Sequence, residues 1–308
     1  FGISNFMMDG DEKRIFSDVR GLYEKVGTLK NFAVYRNPYA FSLGYLTNES
    51  SATNISFKAH QPAANLNQLL QVIGLSGANA LSEVSVGEPV TSNLTKSEDK
   101  YTLSNEGESS NIEWKLTLEP NKLYFVEIPE RQAGSVNKSK VKLNGLSYPY
   151  ENRFRDNQFW MLGNGNLDQT ITLTFEEGKA KEWDFRGFKF YSIDIPTLTN
   201  ALEQFKKAHD ITIDSYSNST VKAHVNVTNS EQSFATFTIP YHSGWSVTVD
   251  GQNQEVQKSL GFFMGVSLTE GEHEIVWSYS PPGLNTGIVL SITSLIVLIY
   301  LWKKQKVE

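Results

Sequence analysis

The run from Leu284 to Trp302, LNTGIVLSITSLIVLIYLW, carries no charge and is followed at once by Lys303, Lys304 and Lys306. About 20 apolar residues rising roughly 1.5 Å each cross the hydrocarbon layer of a bilayer, about 30 Å thick, so 284–302 is read as a transmembrane helix whose partner is lipid. Tyr300 and Trp302 fall where interfacial aromatic side chains gather. Basic residues beside a span are retained in the cytoplasm. The 303–308 tail is therefore expected inside and residues 1–283 outside. A buried helix of a soluble core is the competing reading.

Phe1 opens directly into FGISNFMM, with no basic n-region, apolar h-region or cleavage site. Export of residues 1–283 must then depend on earlier spans, and the chain reads as the C-terminal region of a longer, multi-pass bacterial membrane protein. Hydrophobic residues at 39% and charged residues at 20% allow real cores and exclude a disordered chain. A net charge of −6 without long like-charge blocks argues against nucleic acid as a partner, which needs clustered Lys and Arg. The absence of cysteine removes disulfides, thiolate metal sites and cysteine nucleophiles together.

Residues 1–60 read as a short α/β lead-in. They hold a strand at the start, another around Phe32–Tyr35, and the Pro38- and Gly44-punctuated run RNPYAFSLGYL. In 61–195, PAANLNQLLQVIG sets Leu66, Leu69, Leu70 and Ile73 at helical spacing before Gly74. The period-two segments IEWKLTL, KLYFVEI, KVKLNG and TITLTF follow as strands. The pattern restarts in 196–283, where a helix carrying Leu198, Leu202 and Phe205 on one face precedes VKAHVNV, FATFTIP, WSVTVDG and HEIVWSY. LYFVEIP aligns with FATFTIP and VKLNG with VTVDG at an offset of about 105–110 residues, the size of a duplicated β-sandwich rather than a solenoid repeat. That antiparallel strands resemble one another in any case is the plainer explanation. The expected fold is mainly β: two tandem, jelly-roll-like β-sandwich domains, each preceded by a short helix, behind a small α/β N-terminal piece and ahead of one C-terminal transmembrane helix.

No Walker loop, dinucleotide fingerprint, HExxH helix or GxSxG elbow occurs. His60, His209, His224, His242 and His273 are isolated, so no metal site and no cofactor is expected. Asn-X-Ser/Thr sequons at Asn48, Asn54, Asn93, Asn137, Asn218 and Asn226 are read as coincidence in an Asn- and Ser-rich bacterial chain. The densest run is IPYHSGWSVTVDGQNQEV, from Ile239 to Val256. Tyr241, Trp245 and Asp250 are candidate carbohydrate contacts, with aromatic faces for pyranose C–H groups and a carboxylate for hydroxyls. The structural alternative, which is favoured, is a buried anchor tryptophan and a tight Asp250–Gly251 turn. Trp160 and Trp183 are further aromatic candidates, more often core or rim residues.

These runs resemble the YfhO family of bacterial multi-spanning membrane proteins. The resemblance rests on VYRNPYAFSLGYL from Val34 to Leu46, on NLNQLLQVIG from Asn65 to Gly74, and on an ordered series at the end. That series is Pro240–Tyr241, Gly244–Trp245, Asp250–Gly251, FMGV at Phe263–Val266, Gly271–His273 and Tyr279–Gly283. It implies a GT-C-like glycosyltransferase that takes sugar from a polyprenyl-phosphate sugar and decorates cell-envelope polymers, with lipoteichoic acid, a teichoic-acid polymer, as acceptor. The acidic catalytic residues of such enzymes lie on an outer loop near the N-terminal spans, so no residue of this chain is nominated as catalytic. Residues 1–283 would be an accessory or acceptor-positioning region attached to an upstream transmembrane domain of the same protein. A non-enzymatic carbohydrate-binding or envelope-scaffold ectodomain is the alternative.

Overall fold

The structure, a computed structural model, describes residues 5–9, 22–30, 32–98, 100–105, 108–129, 139–147, 158–176, 182–185 and 187–305. The sequon at Asn137, the opening residues 1–4 and Lys306 lie outside the described residues. Two compact units form: Phe1–Phe41 with Ile55–Ala208, and Ser42–Asn54 with His209–Glu308.

In the first unit, β1 (Asn5–Asp9), β3 (Phe32–Arg36) and β2 (Glu24–Leu29) make an antiparallel sheet in that order. Helix α2 (Pro62–Val72) starts on Pro62, whose fixed φ suits the first helical turn. It ends as Gly74 turns to φ +83. A four-stranded sheet runs β13 (Gln158–Asn164), β10 (Lys122–Ile128), β16 (Lys189–Asp194), β5 (Ser82–Val84). A five-stranded one runs β12 (Leu146–Ser147), β11 (Lys140–Leu143), β14 (Thr170–Glu176), β9 (Asn111–Thr117), β6 (Val90–Ser92). A smaller sheet of β15 (Glu182–Asp184), β8 (Lys100–Leu103) and β7 (Leu94–Ser97) completes the unit.

Alternation decides which side chains enter. Ile112, Trp114 and Leu116 of β9 and Ile171, Leu173 and Phe175 of β14 point inward, against Val126 and Ile128 of β10 and Leu162 of β13. Trp160 and Trp183 are both buried in this core, and the Trp183 Nε1–H donates to Ser139 Oγ at 2.7 Å. These two indoles are packing groups and offer no open face.

The second unit repeats the plan. Its five-stranded sheet is β21 (Gln252–Gln254), β20 (Trp245–Val249), β24 (Gly271–Tyr279), β18 (Thr220–Val227), β17 (Thr212–Tyr216). The facing sheet is β22 (Gln257–Ser259), β23 (Phe263–Ser267), β19 (Phe234–Pro240), β4 (Gly44–Thr47). The strand orders correspond: β12–β11–β14–β9–β6 matches β21–β20–β24–β18–β17, and β13–β10–β16 matches β23–β19–β4. Seven of these eight pairs also follow one another in the same chain order, β16 and β4 being the exception, so the strand plan runs parallel to the sequence repeat.

Two boundaries differ from the sequence reading: residues 196–208, expected to open the second sandwich domain, group with the first unit, and the 1–60 lead-in is divided. Ser42–Asn54, with β4 and the short helix α1 (Glu49–Thr53), is no part of a lead-in but belongs to the second unit. Thr47 pairs with Phe234 and Gly44 with Phe237, so β4 takes the place that β16 holds in the first sandwich. All four β4 residues are buried, which erases the alternation that marks a half-exposed strand. The Gly44 position also needs a glycine, because a Cβ there would lie 2.9 Å from the Phe237 ring.

Two longer helices complete the chain. Helix α3 (Ile195–His209) buries Ile195 and Phe205, and the Phe205 ring lies 5.4 Å from that of Phe41. Helix α4 (Leu284–Gln305) contains a 20-residue stretch, Leu284–Lys303, of mean hydropathy 2.1, none of it buried against protein. Its length and predominantly apolar surface suit a bilayer.

Candidate functional site

Tyr241 and Trp245 flank the turn between β19 and β20, at one end of the second sandwich. Gly244 makes the turn possible: a Cβ there would stand 2.6 Å from the Ser280 carbonyl oxygen and 2.7 Å from the Tyr279 ring. Ser280 N–H donates to Gly244 O at 2.9 Å, drawing the start of β20 onto the end of β24. The Trp245 and Tyr279 rings lie 5.1 Å apart, and His242 lies 5.6 Å from Tyr279. Lys258 Nζ sits 5.4 Å over the Tyr241 ring, within cation–π range. Trp245 is half-buried and rests on the rim of the core; the fully buried indole of this sandwich is Trp277. The buried-anchor reading of Trp245 is corrected accordingly, since its place as the first residue of β20 leaves one face at the edge.

Asp250 is not part of that cluster. It follows the other end of β20, and five residues of extended chain at about 3.4 Å each set it about 17 Å from Trp245. Its Oδ1 accepts from the Glu274 N–H at 2.9 Å, and its Oδ2 meets His273 Nδ1 at 2.7 Å. The Glu274 backbone bond first, and the His273 contact second, hold its carboxyl below the usual carboxylate range. The side chain closes the turn with φ +52 at Asp250 and +76 at Gly251. Both acceptor oxygens are engaged in this closure.

A second feature, in the first sandwich, escaped the sequence. A groove of about 300 Å³ opens between the Glu83–Pro89 connection and the start of β16, walled by Tyr101, Trp114, Phe185 and Phe188. The Phe188 ring stacks on Trp114 at 5.9 Å with 18° between planes, and Phe185 meets Trp114 edge-on at 4.6 Å. Two ion pairs stand on its rim: Lys96 with Glu88 at 2.7 Å and Lys189 with Glu83 at 2.8 Å. The hydrogen bonds to those carboxylates raise both lysines above their ordinary values. Alternation in IEWKLTL turns Trp114 inward, but only the pairing of β16 with β5 carries Glu83 to Lys189. Among the described residues no group of His, Asp and Glu side chains is arranged to hold a metal ion.

Two sequons have local structural uses. Asn48 caps α1, accepting from Ser51 N–H at 3.1 Å and donating to Glu231 O at 2.9 Å. Asn93 donates to the carbonyls of Asn105 and Glu108.

Taken together, a duplicated β-sandwich and a terminal apolar helix define a mainly β membrane protein. The chain matches the family described as "Bacterial membrane protein YfhO" over residues 2–291, and it belongs to that family. It is 25% identical over 125 residues to "Uncharacterized protein YfhO" of Bacillus subtilis (strain 168), an alignment covering 40% of this chain and 14% of that relative's length. Among solved structures, a conserved protein of unknown function from Pseudomonas aeruginosa PAO1 aligns at 8% identity, covering 65% of this chain and 92% of its own. Its TM-score of 0.17 is too low to bear on the fold.

Proposed function

We propose that this chain is the extracytoplasmic C-terminal region of a multi-spanning bacterial membrane glycosyltransferase-like protein, and that its first sandwich holds the acceptor polymer while chemistry proceeds elsewhere. In this reading the whole protein moves sugar from a polyprenyl-phosphate carrier onto an envelope polymer such as lipoteichoic acid. In this reading α4 spans the bilayer with its basic flank, Lys303, Lys304 and Lys306, in the cytoplasm, as basic residues beside spans tend to be, and residues 1–283 lie outside.

The groove walled by Trp114 and Phe188 is the observation that carries the proposal. Its volume is at the lower limit of small-ligand clefts, and its openness suits one or two units of a chain that continues past either end. The partly buried Phe188 ring, backed by the core ring of Trp114, receives the C–H face of a sugar or polyol, the rim carboxylates accept its hydroxyls, and Lys96 and Lys189 face its phosphodiesters. No residue here is assigned to bond making or breaking.

The test is binding of purified lipoteichoic acid to the full 308-residue chain, followed by calorimetry and by co-sedimentation in vesicles. Lys96→Glu is expected to weaken binding without altering the melting temperature, and Phe188→Ala to weaken binding together with some loss of stability, because its ring packs on Trp114 and Phe185. Binding that survives both substitutions would remove the groove from the proposal, and sugar turnover by this chain alone would show that chemistry resides in it.

A further inference from the structure

The exposed large apolar side chains of the second sandwich are not scattered. Outside the span they are Tyr216, 80% exposed, Tyr241, 41%, and Phe262, 46%. All three lie at one end. Tyr216 closes β17 opposite Val221, beside the Ser217–Thr220 turn whose Ser219 carbonyl accepts from Tyr279 N–H at 2.8 Å. Phe262 tips the β22–β23 hairpin on a backbone with φ +47 at Leu260 and +77 at Gly261, and its carbonyl accepts from Tyr241 N–H at 2.8 Å. Half-buried Trp245 and Tyr279 fill the middle of the same end, with Lys258 over Tyr241.

Charge divides the sandwich in the same sense. Glu49, Glu231, Asp250, Glu270 and Glu272 lie at the opposite end, where β4 and β23 stop and β19 and β24 begin. That end would be repelled by an anionic lipid surface, whereas the aromatic end would not. The aromatic end is also the one from which the chain enters α4. Five residue steps separate Tyr279 from Leu284, so the two stand at most about 18 Å apart even if fully extended. Pro281 and Pro282 stiffen that connection.

We propose that this end of the second sandwich sits in the headgroup layer of the membrane, with Tyr216, Tyr241, Trp245, Phe262 and Tyr279 forming an aromatic ring around the entry of α4. Tyrosine and tryptophan prefer that layer because an apolar ring and a polar tip are satisfied there together. A sandwich held this way is fixed in tilt as well as in distance, which orders whatever the outer region binds relative to the bilayer. The inference rests on α4 being a span, and the experiment separates the two.

The chain has no cysteine, so single-cysteine labels can be placed without background. Tyr216→Cys, Phe262→Cys, Gln252→Cys and Ile292→Cys versions of the full 308-residue chain are labelled with a small fluorophore. They are reconstituted in phosphatidylcholine–phosphatidylglycerol vesicles containing headgroup- or tail-nitroxide lipids. The label at 292 reports the span, and Gln252 is at the acidic end beyond the Asp250 turn. The expected result is that 216 and 262 lose most of their emission to headgroup nitroxides, 292 to tail nitroxides, and 252 to neither. Quenching at 292 with none at 216 and 262 overturns the proposal while leaving the span intact, equal quenching at 216, 262 and 252 overturns it as well, and no quenching at 292 removes the span and the proposal together.

Discussion

Asn144 and Asp250 hold the same position in two turns of the same build. The Asn144 N–H donates to Thr172 O at 2.8 Å while its Oδ1 accepts from Thr172 N–H at 2.9 Å; the Asp250 N–H donates to Glu274 O at 2.9 Å while its Oδ1 accepts from Glu274 N–H at 2.9 Å. Each residue has positive φ, 51° and 52°, and each is followed by a glycine at 77° and 76°. One side-chain oxygen, common to Asn and Asp, ties each hairpin to the neighbouring strand of its sheet.

Asp250→Asn should therefore keep the turn and most of the stability at neutral pH, while Asp250→Ala should lower the melting temperature. The Asp250 carboxyl is held below its ordinary range by the Glu274 N–H and then by His273. Its contribution is thus present above the unfolded carboxylate value, about 3.9, and disappears as pH falls through the lower folded value. Melting curves between about pH 2 and 7 should show a shallower acid limb for Asp250→Asn than for the parent chain. Equal melting temperatures for the alanine and asparagine variants at neutral pH would mean that the oxygen clamp does nothing.

Trp277 and Trp245 make a second contrast. Trp277 is fully buried and meets Phe237 at 5.3 Å, whereas Trp245 covers the rim. Trp277→Ala should cost about 3–5 kcal/mol, as large aromatic truncations in cores do, and Trp245→Ala about 1–2 kcal/mol, since less surface is uncovered. Urea unfolding monitored on the second unit gives both values. The ranking fails if Trp245→Ala is the costlier change.

How much of this was legible in sequence depends on how local the cause is. The span is legible because composition alone produces it, and β9, β14 and β18 because one face is wet and one is dry. The Asp250–Gly251 turn is legible because few residues accept positive φ, whereas Asn144–Gly145, which has the same build, sits at the end of a segment read as strand. By contrast, β4 is buried on both faces and its partner β19 lies far along the chain, so nothing local marks it as part of the second sandwich. Trp245 and Asp250 are close in sequence but divided by the length of a strand. The groove around Trp114 has no local signature either, because its walls and rim are brought together by sheet pairing and loop packing.

A line of hydroxyls crosses the sheet that β4 completes. Thr47 Oγ1 lies 3.0 Å from Thr236 Oγ1, which lies 2.7 Å from Ser259 Oγ, and all three residues are fully buried. Thr236→Val keeps the shape but takes the partner from Ser259 Oγ, while Thr47 Oγ1 keeps its bond to Phe234 O at 3.1 Å; this should cost about 1–3 kcal/mol, and Thr236→Ser should recover part of the loss. Chemical denaturation of the three chains decides it; a valine variant as stable as the parent would show that the hydroxyls find other partners.

The interleaving of the units makes a prediction that sequence order alone would reverse. Leu46 precedes the entire first sandwich, yet it is 5% exposed within the core of the second, where β4 runs beside β19. Leu46→Ala should remove about 2–5 kcal/mol, the range for leucine truncation in cores. The loss should fall on the strands that share that core. Amide hydrogen exchange on the full chain can read this residue by residue, because protection reports the free energy of opening of each cooperative unit. Protection is expected to drop in Thr220–Val227, Phe234–Pro240 and Gly271–Tyr279, and to hold in Asn111–Thr117 and Thr170–Glu176. Should protection fall first in the 111–176 strands, Leu46 would belong energetically to the first sandwich and the assignment of β4 to the second would be wrong.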